Sequence, residues 1–397
     1  MSKIMAVNSG SSSLKFQLFD MPSEKVLTSG NLERIGLPMG IFGINVNGEK
    51  ITKEVEIPNH QVAVDLLLKA LVEYGIVKDL NEIEAAGHRI VQGGHYFSDS
   101  VKVDDDVVAK VKELIDIAPL HNAAHLTCYE AFKKALPQIE HVFVFDTAFH
   151  QTMEPDSYLF PVPYEWYEDY KVRKYGAHGT SHKYVAYKTA EIMGKDIKDL
   201  NIITLHLGSG ASITAIKGGK CINTSMGLSP LGGIMMGTRC GDIDPTVVYF
   251  MEKKLNCTPS EMETYLNKKS GMAGVSGISS DSRDVEAEIK KGNKRAQLTY
   301  DLYVNRVVNV VGGYVAQLGH VDVLTFTAGL GEHATLVREM ICKKLEEFLG
   351  LSIDYELNAK THSQAELSLP DSKVKVFVVP TNEELAIVKD TVRILGL

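Results

Sequence analysis

Two stretches decide the fold: NSGSSSLKFQLFD at residues 8–20 and LGSGASITAIKGG at residues 207–219. Each carries on from a short apolar run, Ile4-Met5-Ala6-Val7 in one case and Ile202 to Leu207 in the other. Glycine and serine allow a tight backbone and the residues after them return to alternation, so each stretch reads as strand, small-residue turn, strand. Aligning the turns sets Ser13-Leu14 against Ser212-Ile213. The match suggests an internal duplication; on these residues alone, chance similarity between two Gly/Ser turns is an alternative of nearly equal weight. Further runs end in polar clusters at Val142 to Phe145 before Asp146, Val321 to Phe326 before Gly329 and Val374 to Val379 before Thr381. They alternate with longer helical patterns, which reads as α/β, and in open α/β sheets ligands collect at such strand ends. The segment Pro380-Thr381-Asn382-Glu383-Glu384 reads as a helix start with Leu385, Val388 and Val392 on one apolar face.

A chain of 397 residues is long enough for two domains that each bury a core, and the expected hinge lies just past Asp146. The 44% hydrophobic and 23% charged composition, with mean hydropathy of -0.05, is that of a packed globular protein. A net charge of -8 argues against general binding to nucleic acid or to an anionic membrane, so an anionic ligand must meet local positive charge. Five scattered cysteines without a CxxC pair suit a reducing compartment and leave no structural zinc motif. With no apolar run long enough for a signal peptide or a membrane span, the expectation is a cytoplasmic protein.

No Walker A loop and no clean G-x-G-x-x-G follows a strand, so a phosphate site must be built otherwise. Gly10-Ser11-Ser12-Ser13 with Lys15 offers clustered N–H groups, hydroxyls and one cation, and Gly208-Ser209-Gly210-Ala211-Ser212 offers a second such turn. Each alone reads as a structural hairpin; the pair, with a glycine turn at Thr327-Ala328-Gly329-Leu330-Gly331, favours a polyphosphate grip. Gly87-His88-Arg89 and Gly237-Thr238-Arg239-Cys240-Gly241-Asp242 each set an arginine among small residues, where a guanidinium can approach a carboxylate or phosphate. A surface ion pair is the usual fate of a lone arginine. His121 and His125, like His178 and His182, are four apart, but neither pair has a third ligand at a zinc spacing.

In family order along the chain stand NSGSSSLK, GHRIVQGG, PLHN, FDTAFHQTM, YGAHGTSHKYV, LGSGAS, TSMGLSPLGG, MGTRCGDIDP, NKKSG, FTAGLGE and VVPTNEEL. Together they resemble the acetate kinase family from Asn8 to Leu385. The resemblance implies two duplicated RNase H-like α/β domains of the actin/Hsp70 type with a nucleotide cleft between them, 1–147 plus 384–397 and 148–383. It implies reversible, direct transfer of phosphate from ATP to acetate, with propionate or another short-chain carboxylate as the alternative, and a homodimer. Asn8 and Glu383 would help place Mg²⁺ (or Mn²⁺). Ser11, Ser13 and Lys15 would form the first phosphate turn, and His206, Leu207, Gly208, Ser209 and Gly210 the second. Asp281, Ser282 and Arg283 would lie near the nucleoside; Gly329, Leu330, Gly331, Glu332 and His333 would cover the adenine side. Arg89 and Arg239 would hold the carboxylate and the phosphoryl in flight, with His121 and His178 donating to its oxygens. Asp146 is the family's catalytic acid; a carboxylate substrate is already ionised, so we read it as an orienter rather than a proton carrier. The acyl pocket would comprise Val91, Leu120, Ala177 and Pro230.

The chain departs from the pattern at Ala177 (family Phe), which predicts a larger acyl pocket. Ser209 and His333 each replace Asn, Gln92 replaces His and Gly232 replaces Glu. The alternative of a nucleotide sensor without catalysis is opposed by Arg89, Asp146, His178 and Arg239, all in full motif context. A pyrophosphate donor stays open at this level.

Overall fold

The computed structural model describes residues 2–119 and 121–397. The chain forms two compact units, Met1–Phe149 with Asn382–Leu397, and His150–Thr381.

In the first unit an eight-stranded sheet has the order β5-β4-β3-β2-β1-β6-β8-β7. Its strands are β1 (Ser2–Gly10), β2 (Ser13–Met21), β3 (Lys25–Glu33), β4 (Gly40–Val46), β5 (Glu49–Val55), β6 (Ile83–Ile90), β7 (Val101–Lys102) and β8 (Glu140–Phe145). β1, β2 and β3 pair antiparallel, and β6 and β8 extend the sheet in parallel. The second unit has a six-stranded sheet of order β11-β10-β9-β12-β14-β13. Here the strands are β9 (Asn201–Leu207), β10 (Ala211–Lys217), β11 (Lys220–Thr224), β12 (Val323–Thr327), β13 (Ala365–Glu366) and β14 (Lys375–Val378). Again three strands run antiparallel and two follow in parallel. The shared five-strand order makes β1–β2 and β9–β10 equivalent hairpins, so the similarity of their turns is a duplication.

Helices His60–Glu73 and Asn122–Ala135 share the apolar core of the first sheet, where Met5, Val7, Leu14 and Phe16 meet Leu67, Leu71 and Phe132. The helix Glu383–Leu395 packs on β1, β6 and β8 and begins where expected, Asn382 Oδ1 accepting from the Leu385 amide at 3.0 Å. Gly87 is on β6, not in a turn: a Cβ there would stand 2.2 Å from Thr391 Oγ1 and 2.6 Å from Ile387 Cγ2 on that helix. The Arg89 that follows is therefore held by a strand.

All seven residues of β9 are buried, as in a strand covered on both faces. Successive side chains alternate faces, so Ile203, Leu205 and Leu207 join the core with Val304, Val307 and Val311 of the helix Lys294–Leu318. Thr204 and His206 instead point to the helix Gly179–Met193, bonding to His182 and Ser181. Strand alternation thus decides which polar groups meet that helix.

Among the buried histidines, burial pushes the ring pKa down in five, His88, His125, His141, His150 and His182, to about 3 for His125 and about 4 for His141 and His150. The unfolded chain takes up these protons near pH 6.5 while the folded chain does not, so stability falls as pH drops from about 6.5 toward 4. At pH 5 each histidine should cost roughly 2 kcal/mol, far outweighing the single carboxyl, Glu383, that works in the opposite sense. Calorimetry should show a markedly lower Tm at pH 5 than at pH 7.5. Equal values would mean that these rings accept protons in place.

Candidate active site

In the first unit Arg89 is the hub. Its Nε lies 3.1 Å from both carboxylate oxygens of Asp146, its second terminal nitrogen donates to Asp146 Oδ2 at 2.5 Å and the first donates to Asn8 Oδ1 at 3.2 Å. Asp146 is 1% exposed, and parallel pairing of β6 with β8 brings it to the same sheet end as Arg89. The Glu383 carboxylate stands 4.0 Å from Arg89 Nε at the first turn of its helix. Its pKa is raised to about 7, chiefly by desolvation, with Arg89 opposing the rise and Asp146 and Glu384 adding to it. Arg89 is in turn held charged, its pKa raised by Asp146 and Glu383 against the cost of burial.

Around this hub, Asn8 pairs across the hairpin with Lys15, and Gly10 with Ser13. Ser11 and Lys15 are exposed and Ser13 is half-buried. His121 caps the helix Asn122–Ala135, its ring 6.5 Å from that of His125. His125 is inside that helix: its Nδ1 accepts from the buried Val91 amide at 3.3 Å, and it bonds the Ser9 backbone. Asn122 accepts from the Gln92 amide and donates to its carbonyl. Sequence reading missed both as supports of the 91–92 segment; the H-x-x-x-H spacing was the available signal for His125. Leu120 lies outside the described residues.

In the second unit His178 takes a left-handed backbone, φ 57°, at the start of the helix Gly179–Met193. For a residue with a Cβ that conformation is strained, so the surroundings hold it. Its ring stacks on His206 with centroids 4.1 Å apart, and Ser181 Oγ joins His206 Nδ1 at 2.8 Å. The turn Gly208 to Gly210 is tied to the Arg239 loop by the Gly237 amide donating to the Ser209 carbonyl at 3.1 Å. A Cβ on Gly210 would lie 3.1 Å from an Arg239 terminal nitrogen and 3.5 Å from His178 Nε2, so glycine keeps room beside both. Arg239 donates to the Pro230 carbonyl at 2.8 Å, and no carboxylate among the described residues pairs with it. Its pKa is lowered by desolvation alone.

The sequence is matched by the model of the acetokinase family over residues 3–389. The chain belongs to the acetokinase family. It is 52% identical over 394 residues to an acetate kinase of Bacillus velezensis, covering 99% of this chain and 100% of that one. The acetate kinase structure of Porphyromonas gingivalis superimposes with a TM-score of 0.96 at 46% identity, covering all of both chains. A propionate kinase structure from Francisella tularensis gives 0.92 at 39% identity, covering 98% of this chain and 99% of that one. Acetokinase membership makes the chain an enzyme, a kinase, and a nucleotide-binding protein.

Against this acetokinase background, Gly329 to His333 form a helix, Ala328–His333, rather than an open glycine turn, with Ala328 at φ 65°. Glu332 Oε1 accepts from the Ala328 amide at 2.8 Å and the Thr381 amide at 3.3 Å. His333 is exposed, 6.1 Å from the His362 ring. The fully buried Arg338, invisible as a support in sequence because arginine on a helix reads as surface, donates to the carbonyls of Gly331 and Glu332. Asp281 caps the helix Ser282–Lys290 and pairs with Arg283 at 2.5 Å, while Ser282 is buried. Ala177 is 2% exposed within the apolar cluster of the second unit, and its carbonyl bonds His150 Nε2 at 2.9 Å. Among the described residues no three His, Cys, Asp or Glu side chains form a metal cluster, and no helix is long and apolar enough to cross a membrane.

Proposed function

We propose that this chain is an acetate kinase that transfers the terminal phosphoryl of ATP directly and reversibly to acetate, in the cytoplasm, as a homodimer. The observation that carries the reading is Arg239: a desolvated guanidinium with no carboxylate partner among the described residues, beside His178 Nε2 and the small-residue turn Gly208 to Gly210. Such a cation suits an anion that arrives with the substrates. Ser11, Ser13, Lys15 and His206 to Gly210 bind phosphates, Asp281 to Arg283 the nucleoside, and Gly329 to His333 the adenine side.

The phosphoryl in flight spreads negative charge over its equatorial oxygens, so Arg89, Arg239, His121 and His178 act by electrostatic stabilisation and alignment. No covalent intermediate is needed, and an ionised acetate gives a general base nothing to remove. Asp146, engaged on three hydrogen bonds from Arg89, acts as the orienter of that guanidinium. The oxygens of Asn8 and Glu383 are hard donors that fit Mg²⁺ with most of its waters retained, and a cation there would relieve the half-buried carboxylate of Glu383. When bound, Mg²⁺ neutralises charge on the phosphate oxygens.

Homodimer formation is supported by the helix Pro245–Leu255, which buries none of its residues and exposes Val247, Tyr249, Phe250 and Leu255. The acidic balance of the chain leaves nucleic acid and anionic membrane surfaces as poor partners.

Ala177 favours propionate as a second substrate, handled through the acyl pocket of Val91, Leu120, Ala177 and Pro230. Kinetics with acetate, propionate and butyrate at saturating MgATP test both readings. Ala177→Phe should depress kcat/KM for propionate more than for acetate, by about 1–3 kcal/mol in the ratio. Equal losses would show that phenylalanine merely overpacks a buried position and displaces His178. Strong acetate selectivity in the unaltered enzyme would end the propionate reading.

A further inference from the structure

Behind His178 the polar groups stand in single file. Thr204 Oγ1 is 2.6 Å from Nδ1 of His182, Nε2 of His182 is 2.7 Å from Ser212 Oγ, and Ser212 Oγ is 2.8 Å from Nδ1 of His178. Thr204, His182 and Ser212 have no exposed surface. Burial, with the neighbouring rings of His150 and His206 adding to it, holds His182 neutral, so it carries one ring proton.

Counting protons gives the file a direction. Among the described residues the Thr204 hydroxyl meets only His182, so its buried O–H is satisfied only by donating to Nδ1. The single proton of His182 then sits on Nε2 and is donated to Ser212 Oγ. The Ser212 hydroxyl in turn donates to His178 Nδ1, which must be a bare acceptor. The reverse order would leave the Thr204 O–H buried without an acceptor. A proton on His178 Nδ1 would do the same to the Ser212 O–H.

We infer that Thr204, His182 and Ser212 are positioning residues that lock His178 as the tautomer protonated on Nε2, so that the ring offers a phosphoryl oxygen a hydrogen bond rather than a lone pair. Nε2 is the nitrogen beside Gly210, and the stack on His206 fixes the plane in which it points. The inference deepens the proposed function and rests on its reading of His178. It also explains the second histidine of each four-residue spacing in physical terms: His182, like His125, is a neutral internal strut.

The test uses the full-length enzyme labelled with ¹⁵N-histidine, the His178 signals being assigned by their loss in His178→Gln. The unaltered protein should show His178 protonated on Nε2. Thr204→Val, which keeps shape but removes the donor, and Ser212→Ala should each mix the tautomers and lower kcat about 10–100-fold. KM for ATP and acetate should stay within a few-fold, and Thr204→Ser should restore both the spectrum and kcat. A proton on Nδ1 in the unaltered enzyme, or unchanged kcat and tautomer in Thr204→Val, would overturn the lock. Unchanged kcat in His178→Gln would instead sink the reading of His178 itself, an outcome the tautomer spectrum does not share.

Discussion

Arg239→Ala should lower kcat by about 10³-fold or more while leaving the Tm close to that of the unaltered enzyme. Among the described residues no carboxylate pairs with this guanidinium, which donates instead to the Pro230 carbonyl, so little of the folded state depends on it. In the proposed mechanism it stabilises charge at the transferring phosphoryl, where a positioned arginine is worth about 10³–10⁵ in rate. Arg89→Ala should lose activity on a similar scale and behave differently in stability. It strands Asp146, 1% exposed, without its cation, a change that costs about 3–5 kcal/mol for a buried pair. Arg→Lys should fail at both positions, because an ammonium cannot reproduce a planar fork. The checks are steady-state kcat and thermal unfolding on the same preparations. A kcat for Arg239→Ala within a few-fold of the unaltered enzyme would remove Arg239 from the reaction.

Glu383→Gln should stabilise the nucleotide-free protein at pH 8 and cripple it as a catalyst. A carboxyl whose folded pKa is about 7, against 4.5 in the unfolded chain, is ionised at pH 8 at a cost to folding on the order of 1–3 kcal/mol. Below pH 7 the native carboxyl takes up its own proton, so the advantage of glutamine should shrink and vanish near pH 4.5. Losing a negative charge at the first turn of a helix offsets a few tenths of a kcal/mol of the gain. Activity should fall about 100-fold, and the Mg²⁺ concentration for half-maximal rate should rise, since a hard carboxylate oxygen has been replaced by an amide. An unchanged Mg²⁺ titration together with a lower Tm would assign Glu383 to holding the helix start.

The opposite signs of those two effects illustrate what a sequence conveys and what it hides. Asn8, Arg89, Asp146 and Glu383 stand out as motif residues, yet nothing near them in the chain says that Arg89 donates to Asn8 and Asp146 and lies beside Glu383. That grouping comes from parallel pairing of β6 with β1 and β8, and from the last helix docking on Gly87. Likewise His178 is legible from its motif, while Thr204, lost within an apolar run, becomes a polar partner only because β9 is covered on both faces.

By itself the sequence determined the two hairpins, the α/β alternation, the family and the start of the final helix at Asn382, because turns, caps and strand alternation depend on residues a few positions apart. Only the tertiary structure decided which histidines are neutral struts, which arginine is paired with a carboxylate and which is not, and how Glu383 comes to hold a charge at a cost. Burial and partnership are set by strands and helices distant in the chain, and it is those, rather than residue type, that determine the state of an ionisable group.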